Sequence, residues 1–224
     1  LLLCAPLLSV AAALEELQLL NERPVEGVSG GNLSGLAWCD GALWVVSDRD
    51  DRQIYRLAGQ DTQWQAAAES FVAPPPPDVR LPWGLRMRSW MAGLVRGGEL
   101  DFEGLSCDAA GNRYLVSEAH AAVLQLPVMG EPNWLKLPQG LVRQARASGM
   151  LLHHNSLFEG VAVDPAGERL YLAAERMRRG LLVVHKQRAT WRCTGGCVLF
   201  SEAGSEAGPE QLGSKAQPRD FSGL

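Results

Sequence analysis

One short pattern recurs four times along the chain. It reads Asn32-Leu33-Ser34-Gly35-Leu36, Asp101-Phe102-Glu103-Gly104-Leu105, Leu157-Phe158-Glu159-Gly160-Val161 and Asp220-Phe221-Ser222-Gly223-Leu224. Its glycines stand 69, 56 and 63 residues apart. A repeat of that period is one supersecondary unit used several times, and such units bury their apolar faces only against each other. The residues downstream of each glycine also repeat. The first copy has a turn at Asp40-Gly41, an apolar run from Ala42 to Val46, then Ser47-Asp48. The second has a turn at Asp108-Ala109-Ala110-Gly111, the run Tyr114-Leu115-Val116, then Ser117-Glu118. The third has Asp164-Pro165-Ala166-Gly167, the run Leu170-Tyr171-Leu172, then Ala173-Ala174-Glu175. Each copy is a strand, a hairpin turn containing glycine, and a second strand ending in an acid.

A third strand is expected at Ile54–Leu57, Ala122–Leu126 and Leu181–Val184, and a fourth at Ser70–Ala73, Trp134–Leu137 and Val198–Ser201. Four antiparallel strands per repeat, set radially, make a β-propeller blade. A sandwich or a pair of packed meanders would not open every unit with the same motif. The fold class is therefore all-β, a propeller of four-stranded blades. Three blades and the start of a fourth are fewer than a closed ring requires, so the chain is expected to be an incomplete fragment of such a ring. Residues 31–224 form the propeller, and residues 14–30 are expected to supply a strand that closes the last blade. Pro74–Pro77 reads as a polyproline II connector, Pro82–Gly98 as an irregular insertion, and Pro138–Met150 as a short helix with Leu141, Val142 and Ala145 on its apolar face.

Residues 1–13 carry no charge and are almost wholly apolar. That is too short for a bilayer span but suits the core of a secretory signal, with cleavage expected after Ala13. The expected location is the periplasm or the exterior, an oxidising setting in which cysteines can pair. Cys193 and Cys197 flank a Gly-Gly turn and suggest a disulfide, with a zinc site, which would want two more ligands, as the rival reading; Cys39 and Cys107 read as small buried hydrophobes near the ends of equivalent strands. The net charge of −4 argues against a nucleic-acid partner, which needs a basic surplus. A stable membrane span is not expected either, since no second apolar stretch has the length.

Strand alternation puts Asp101, Glu103 and Leu105 on one face of the second motif, with Asn32, Ser34, Leu36 and Leu157, Glu159, Val161 as counterparts. Each innermost strand would aim a polar side chain into the central channel. A second acid set, Asp48, Glu118 and Glu175, ends the next strands, which antiparallel pairing returns to the same rim. Gathered carboxylates suit Ca²⁺, a hard cation taking six to eight oxygens. The other reading is structural: acids at blade corners accept backbone hydrogen bonds or pair with Arg49, Arg52, Arg176, Arg178 or Arg179. His154, in His153-His154-Asn155, would enter the same rim as a general acid or ligand, or lie on a solvated loop. Ser34 and Ser222 replace Glu in the motif and read as small channel residues.

The Phe102-Glu103-Gly104 and Phe158-Glu159-Gly160 motifs, with the turns and acid-ended strands downstream of them, resemble the phytase-like proteins, the esterase-like-activity-of-phytase family. The resemblance covers roughly Asn32 to Leu224. It implies an exported propeller that hydrolyses a small-molecule ester or phosphoester with Ca²⁺ clustered at the channel mouth. On the strand reading above, the candidate Ca²⁺ ligands are Asp101, Glu103, Glu159, Asp48, Glu118 and Glu175, and the candidate catalytic groups are Glu103, Glu159 and His154; the full-length protein is expected to be a monomer. A non-catalytic propeller that binds a cell-envelope ligand is the alternative.

Overall fold

The computed structural model describes residues 18–29, 31–60, 62–77, 83, 84, 87, 99–152, 157–174 and 180–201. The apolar leader, His154, Glu175 and the fourth motif lie outside the described residues. Fourteen strands and one helix are described. They are β1 (Val25–Glu26), β2 (Leu33–Cys39), β3 (Ala42–Ser47), β4 (Gln53–Gly59), β5 (Trp64–Ser70), β6 (Phe102–Cys107), β7 (Arg113–Ser117), β8 (Ala122–Leu126), β9 (Asn133–Trp134), α1 (Leu141–Ala147), β10 (Phe158–Val163), β11 (Arg169–Ala174), β12 (Gly180–Gln187), β13 (Thr190–Arg192) and β14 (Val198–Ser201).

They form three sheets, one per repeat. Strands β2 to β5, β6 to β9 and β10 to β13 are antiparallel meanders, each opened by the glycine motif. The first strands stack side by side, β2 on β6 and β6 on β10. That arrangement is the inner wall of a propeller, and the chain is a set of propeller blades.

The glycines are explained by this stacking. A Cβ on Gly35 would lie 2.9 Å from the Gly104 Cα and 2.9 Å from the Leu105 nitrogen. One on Gly104 would lie 3.1 Å from the Val161 nitrogen and 3.2 Å from the Glu159 oxygen. Backbone passes backbone here, and only the absence of a side chain permits the approach.

The core lies between blades. Trp44, Val46 and Ile54 of the first blade meet Phe102, Leu105, Leu115 and Leu124 of the second. Tyr114, Val116 and Val123 meet Phe158, Val161, Leu170 and Leu172 of the third, and α1 adds Leu141, Val142 and Ala145 to this cluster as expected. Burial of each large side chain contributes about 1.5–3 kcal/mol, so the interfaces dominate stability. On the opposite face of the first blade Leu33, Leu36 and Trp38 are 41 %, 58 % and 67 % exposed, whereas Phe102 and Leu105, which match Leu33 and Leu36, are 1 % and 3 % exposed beneath the first blade.

Four expectations need correction. Cys39 and Cys107 are not isolated hydrophobes but a disulfide, Cα–Cα 6.0 Å, that joins the far ends of β2 and β6 across the blade interface. The first blade's fourth strand is Trp64–Ser70, not Ser70–Ala73. The short strand at Val25–Glu26, expected to close a last blade, runs parallel to β5 at the outer edge of the first blade among the described residues. Finally, simple alternation fails at the motif. Register shifts fall between Leu33 and Gly35, Phe102 and Gly104, and Phe158 and Gly160. Ser34, Glu103 and Glu159 are thus the extra residues of three equivalent β-bulges. The extra residue flips the strand, so Leu105 shares a core with Phe102 and does not join Glu103 in the channel.

The third blade has a divided fourth strand. β13 pairs with the end of β12 and β14 with its beginning. The turn between β13 and β14 holds the Cys193–Cys197 disulfide, Cα–Cα 4.8 Å. Helix α1 steadies this turn, for Gln144 Oε1 accepts the Cys197 N–H at 3.0 Å.

Candidate metal centre at the blade rim

The rim is built by returning the end of each second strand to the start of its first. The Asp48 N–H donates to the Asn32 carbonyl at 3.3 Å, and the Glu118 N–H donates to the Asp101 carbonyl at 2.9 Å. Asn32 and Asp101 sit at φ +46° and +53°, the left-handed region that these two residue types tolerate best among non-glycines. A serine stands just before each acid and closes the same corner: Ser47 Oγ donates to the Gly31 carbonyl at 2.6 Å, and Ser117 Oγ to the Leu100 carbonyl. The recurrence of Ser-Asp and Ser-Glu as pairs is the sequence signal for this corner, and the acids alone do not convey it.

Three of the expected residues converge. Asp48, Asp101 and Glu103 each place a carboxylate oxygen within 4.8 Å of the others. Asp48 comes from the turn after β3 in the first blade, while in the second Glu103 is the bulged residue and Asp101 precedes the bulge. The bulge is what turns Glu103 toward its neighbours. Asp48 Oδ2 accepts from Asn32 Nδ2 at 3.2 Å, while Asp48 Oδ1 is buried with no hydrogen-bond partner among the described residues. A buried carboxylate oxygen of this kind fits a cation, because leaving it unsatisfied is costly.

The other expected residues lie outside the trio. Glu118 is buried at the joint to the third blade, where its Oε1 accepts the Leu157 N–H at 3.1 Å. Glu159 occupies the third bulge, half-buried. His154 and Glu175 fall outside the described residues.

Three further groups lie outside the expected set. Asp51 lies in the same turn as Asp48, and its carboxylate accepts the N–H groups of Glu99 at 2.6 Å and Leu100 at 3.0 Å. His120 hydrogen-bonds the Glu99 backbone from the turn after β7. Burial holds this imidazole below its ordinary pKa, against the opposing pull of that bond and of the Asp51 and Glu99 charges. The third is Ser29. Its segment, Gly27-Val28-Ser29-Gly30-Gly31, has the Gly-x-Ser-x-Gly spacing of a nucleophile elbow. Strand β2 comes next in the chain, however, not the helix an elbow requires. Ser29 Oγ bonds the Tyr55 hydroxyl at 2.7 Å and donates to Asp50 Oδ2 at 3.2 Å; Tyr55 also donates to Asp50. Burial first, and the Asp50 bond second, push Tyr55 above its ordinary value. These bonds fasten the N-terminal segment to the first blade.

The opposite rim is structural. Asp108 accepts bonds from the Ala110 and Asn112 N–H groups, the Asn112 side chain and the Tyr114 hydroxyl. Asp164 Oδ1 accepts the N–H groups of Glu168 at 2.7 Å and Arg169 at 2.9 Å. Both are turn aspartates that fold the hairpin between first and second strands.

The likenesses to solved structures are distant. Virginiamycin B lyase from Staphylococcus aureus shares 14 % identity over 71 % of this chain and 40 % of its own, with a TM-score of 0.40. A putative 6-phosphogluconolactonase from Bacteroides uniformis shares 10 % over 77 % and 41 %, TM-score 0.41, and a gluconolactonase from Xanthomonas campestris 16 % over 75 % and 36 %, TM-score 0.33. The chain thus spans less than half the length of each. The blade assignment rests on the sheets themselves, not on these likenesses. No curated protein matches the chain. The family model described as "Phytase-like: Esterase-like activity of phytase" matches residues 28–191, which take in the glycine motifs of all three sheets. The chain belongs to the phytase-like, esterase-like-activity-of-phytase family.

Proposed function

We propose that this chain forms part of the channel mouth of an exported hydrolase that uses Ca²⁺ against small ester or phosphoester substrates and works as a monomer. The observation that carries the reading is the convergence of Asp48, Asp101 and Glu103 from two blades onto one point of the rim. Three carboxylates offer hard oxygens alone, the donor set of Ca²⁺ and not of a sulfur- or imidazole-seeking metal. Ca²⁺ held there would neutralise substrate oxygens and lower the pKa of a bound water. The protein's own part is to fix the carboxylates at a shared point on the rigid inner strands, so that no reorganisation is needed when charge develops. Glu159, at the same bulge position in the next blade, and His154 are proposed as further groups of the site. Two disulfides, Cys39–Cys107 and Cys193–Cys197, support export, because such bonds persist in oxidising compartments. No helix among the described residues is long and apolar enough to cross a membrane.

The test uses the purified chain with Ca²⁺ or with EDTA, read by thermal melting and by release of nitrophenol from its phosphate and acetate esters. Ca²⁺ should raise the melting temperature and any hydrolysis seen should need it; Glu103→Gln should lose both effects. If EDTA changes neither stability nor turnover, the metal reading is wrong and the propeller is better understood as a binding scaffold.

A further inference from the structure

The acid trio straddles two blades, and something must hold its halves in register. Asp48 belongs to the turn after β3, and Asp101 and Glu103 to the start of the second blade. The same turn carries Asp51, whose two carboxylate oxygens take the N–H groups of Glu99 and Leu100, the two residues that lead into Asp101. The other backbone groups of this segment are held from the second blade. Ser117 Oγ donates to the Leu100 carbonyl, the Glu118 N–H to the Asp101 carbonyl, and His120 bonds Glu99. These bonds fix both N–H groups and the carbonyls around Asp101, which sits at φ +53°, a region that costs a non-glycine residue some strain.

We propose that Asp51 is a positioning residue for the acid trio: it clamps the Glu99-Leu100-Asp101 segment of the second blade to the turn of the first that bears Asp48, and so sets the spacing of the cation ligands. The inference deepens the Ca²⁺ reading and rests on it. Asp51 is not itself a ligand; it acts through the backbone, the manner in which outer partners of a metal site tune its affinity.

The experiment is titration of Ca²⁺ alone into the full chain by calorimetry, with melting in EDTA recorded for every variant. Asp51→Ala removes both accepted bonds and one charge. Asp51→Asn removes the same charge but keeps one acceptor oxygen. Asp164→Ala is the matched control, since Asp164 also caps two N–H groups through its carboxylate, at the opposite rim. Asp51→Ala should weaken Ca²⁺ binding about tenfold or more, the scale found for outer-shell partners. Asp51→Asn should weaken it distinctly less, and Asp164→Ala should leave it unchanged while lowering the melting temperature. Should Asp51→Ala not fold, Asp51→Ser, which loses the same charge and cannot reach both N–H groups, takes its place, and weaker Ca²⁺ binding by Asp51→Ser than by Asp51→Asn carries the same conclusion. Equal affinity in wild type and the Asp51 variants overturns the positioning role and leaves the Ca²⁺ reading standing. No Ca²⁺ uptake by the wild type overturns both.

Discussion

Replacing Gly35 with alanine probes the blade stacking at its tightest point. The new Cβ would meet the Gly104 Cα, the Leu105 nitrogen and Val46 Cγ2, each at 2.9 Å. Real Cβ contacts essentially never come that close. Two of the three atoms are backbone of the next blade, and the third belongs to a β-branched side chain with few alternative rotamers. Overpacking of this kind costs about 1–3 kcal/mol. Alanine restricts the unfolded chain and returns about 0.4–1 kcal/mol. With rigid backbone on one side the cost belongs at the upper end, which leaves a net loss of about 2 kcal/mol. At a urea slope of about 2 kcal/mol per M, the unfolding midpoint should fall by about 1 M with the slope unchanged. Gly104→Ala meets Val116 Cγ1 at 2.9 Å as well, but its backbone contacts with the next blade lie at 3.1 and 3.2 Å, so it should cost somewhat less. Gly196→Ala has nothing within 4 Å and should be neutral or slightly stabilising. A Gly35→Ala midpoint indistinguishable from that of Gly196→Ala would refute the reasoning, and with it the claim that equivalent inner strands touch along their backbones.

Covalent and turn chemistry supply two other predictions. On the chain-entropy estimate, Cys39→Ser with Cys107→Ser should cost about 4 kcal/mol, since that bond closes a separation of 68 residues. Cys193→Ser with Cys197→Ser, closing a separation of 4, should cost about 2 kcal/mol. Peptide mapping without reductant checks the pairing, and denaturant midpoints check the order. At the far rim, burial tends to raise the Asp164 pKa, but the N–H groups of Arg169, Glu168 and Gly167 and the Arg169 charge together carry it below its ordinary value. A depressed carboxylate stabilises the fold at pH values above the unfolded pKa of about 3.9, and that contribution disappears as pH falls through the folded value. The stability gap between wild type and Asp164→Asn should therefore be full at pH 6 and close as the pH drops below about 3.9. A gap that fails to narrow, or widens, as the pH is lowered from 6 through the unfolded value would contradict the assignment.

The repeat made most of the fold legible. Glycine, turn and acid recur because each answers a local demand: a close approach, a hairpin reversal, a corner with its backbone to be satisfied. What stayed hidden depends on partners far away in the chain. The Cys39–Cys107 bond is one case. Each cysteine ends an apolar strand, and only the stacking of β2 on β6 reveals that they face each other. The strand Trp64–Ser70 is another, for Ala66-Ala67-Ala68 has little intrinsic preference for strand and is recruited by pairing with β4. Asp51 is a third: a turn aspartate among several, its role visible only once Glu99 and Leu100 of the next blade lie against it.

The bulge matters most for function, since alternation alone misassigns the faces of the motif. A residue inserted before the glycine lets two adjacent positions serve one side of the strand, the glycine for contact and its predecessor for a polar side chain. In the first blade that predecessor is Ser34, whose hydroxyl donates to the Phe102 carbonyl of the next blade at 2.6 Å. An ionised carboxylate has no hydrogen to give that carbonyl. Where Glu103 and Glu159 occupy the same bulge, the position cannot staple neighbouring blades in the manner of Ser34, and its longer side chain can reach the rim. One backbone device therefore supports two uses: a joint in the first blade and an acid at the mouth in the second, where Asp48 and Asp101 meet it.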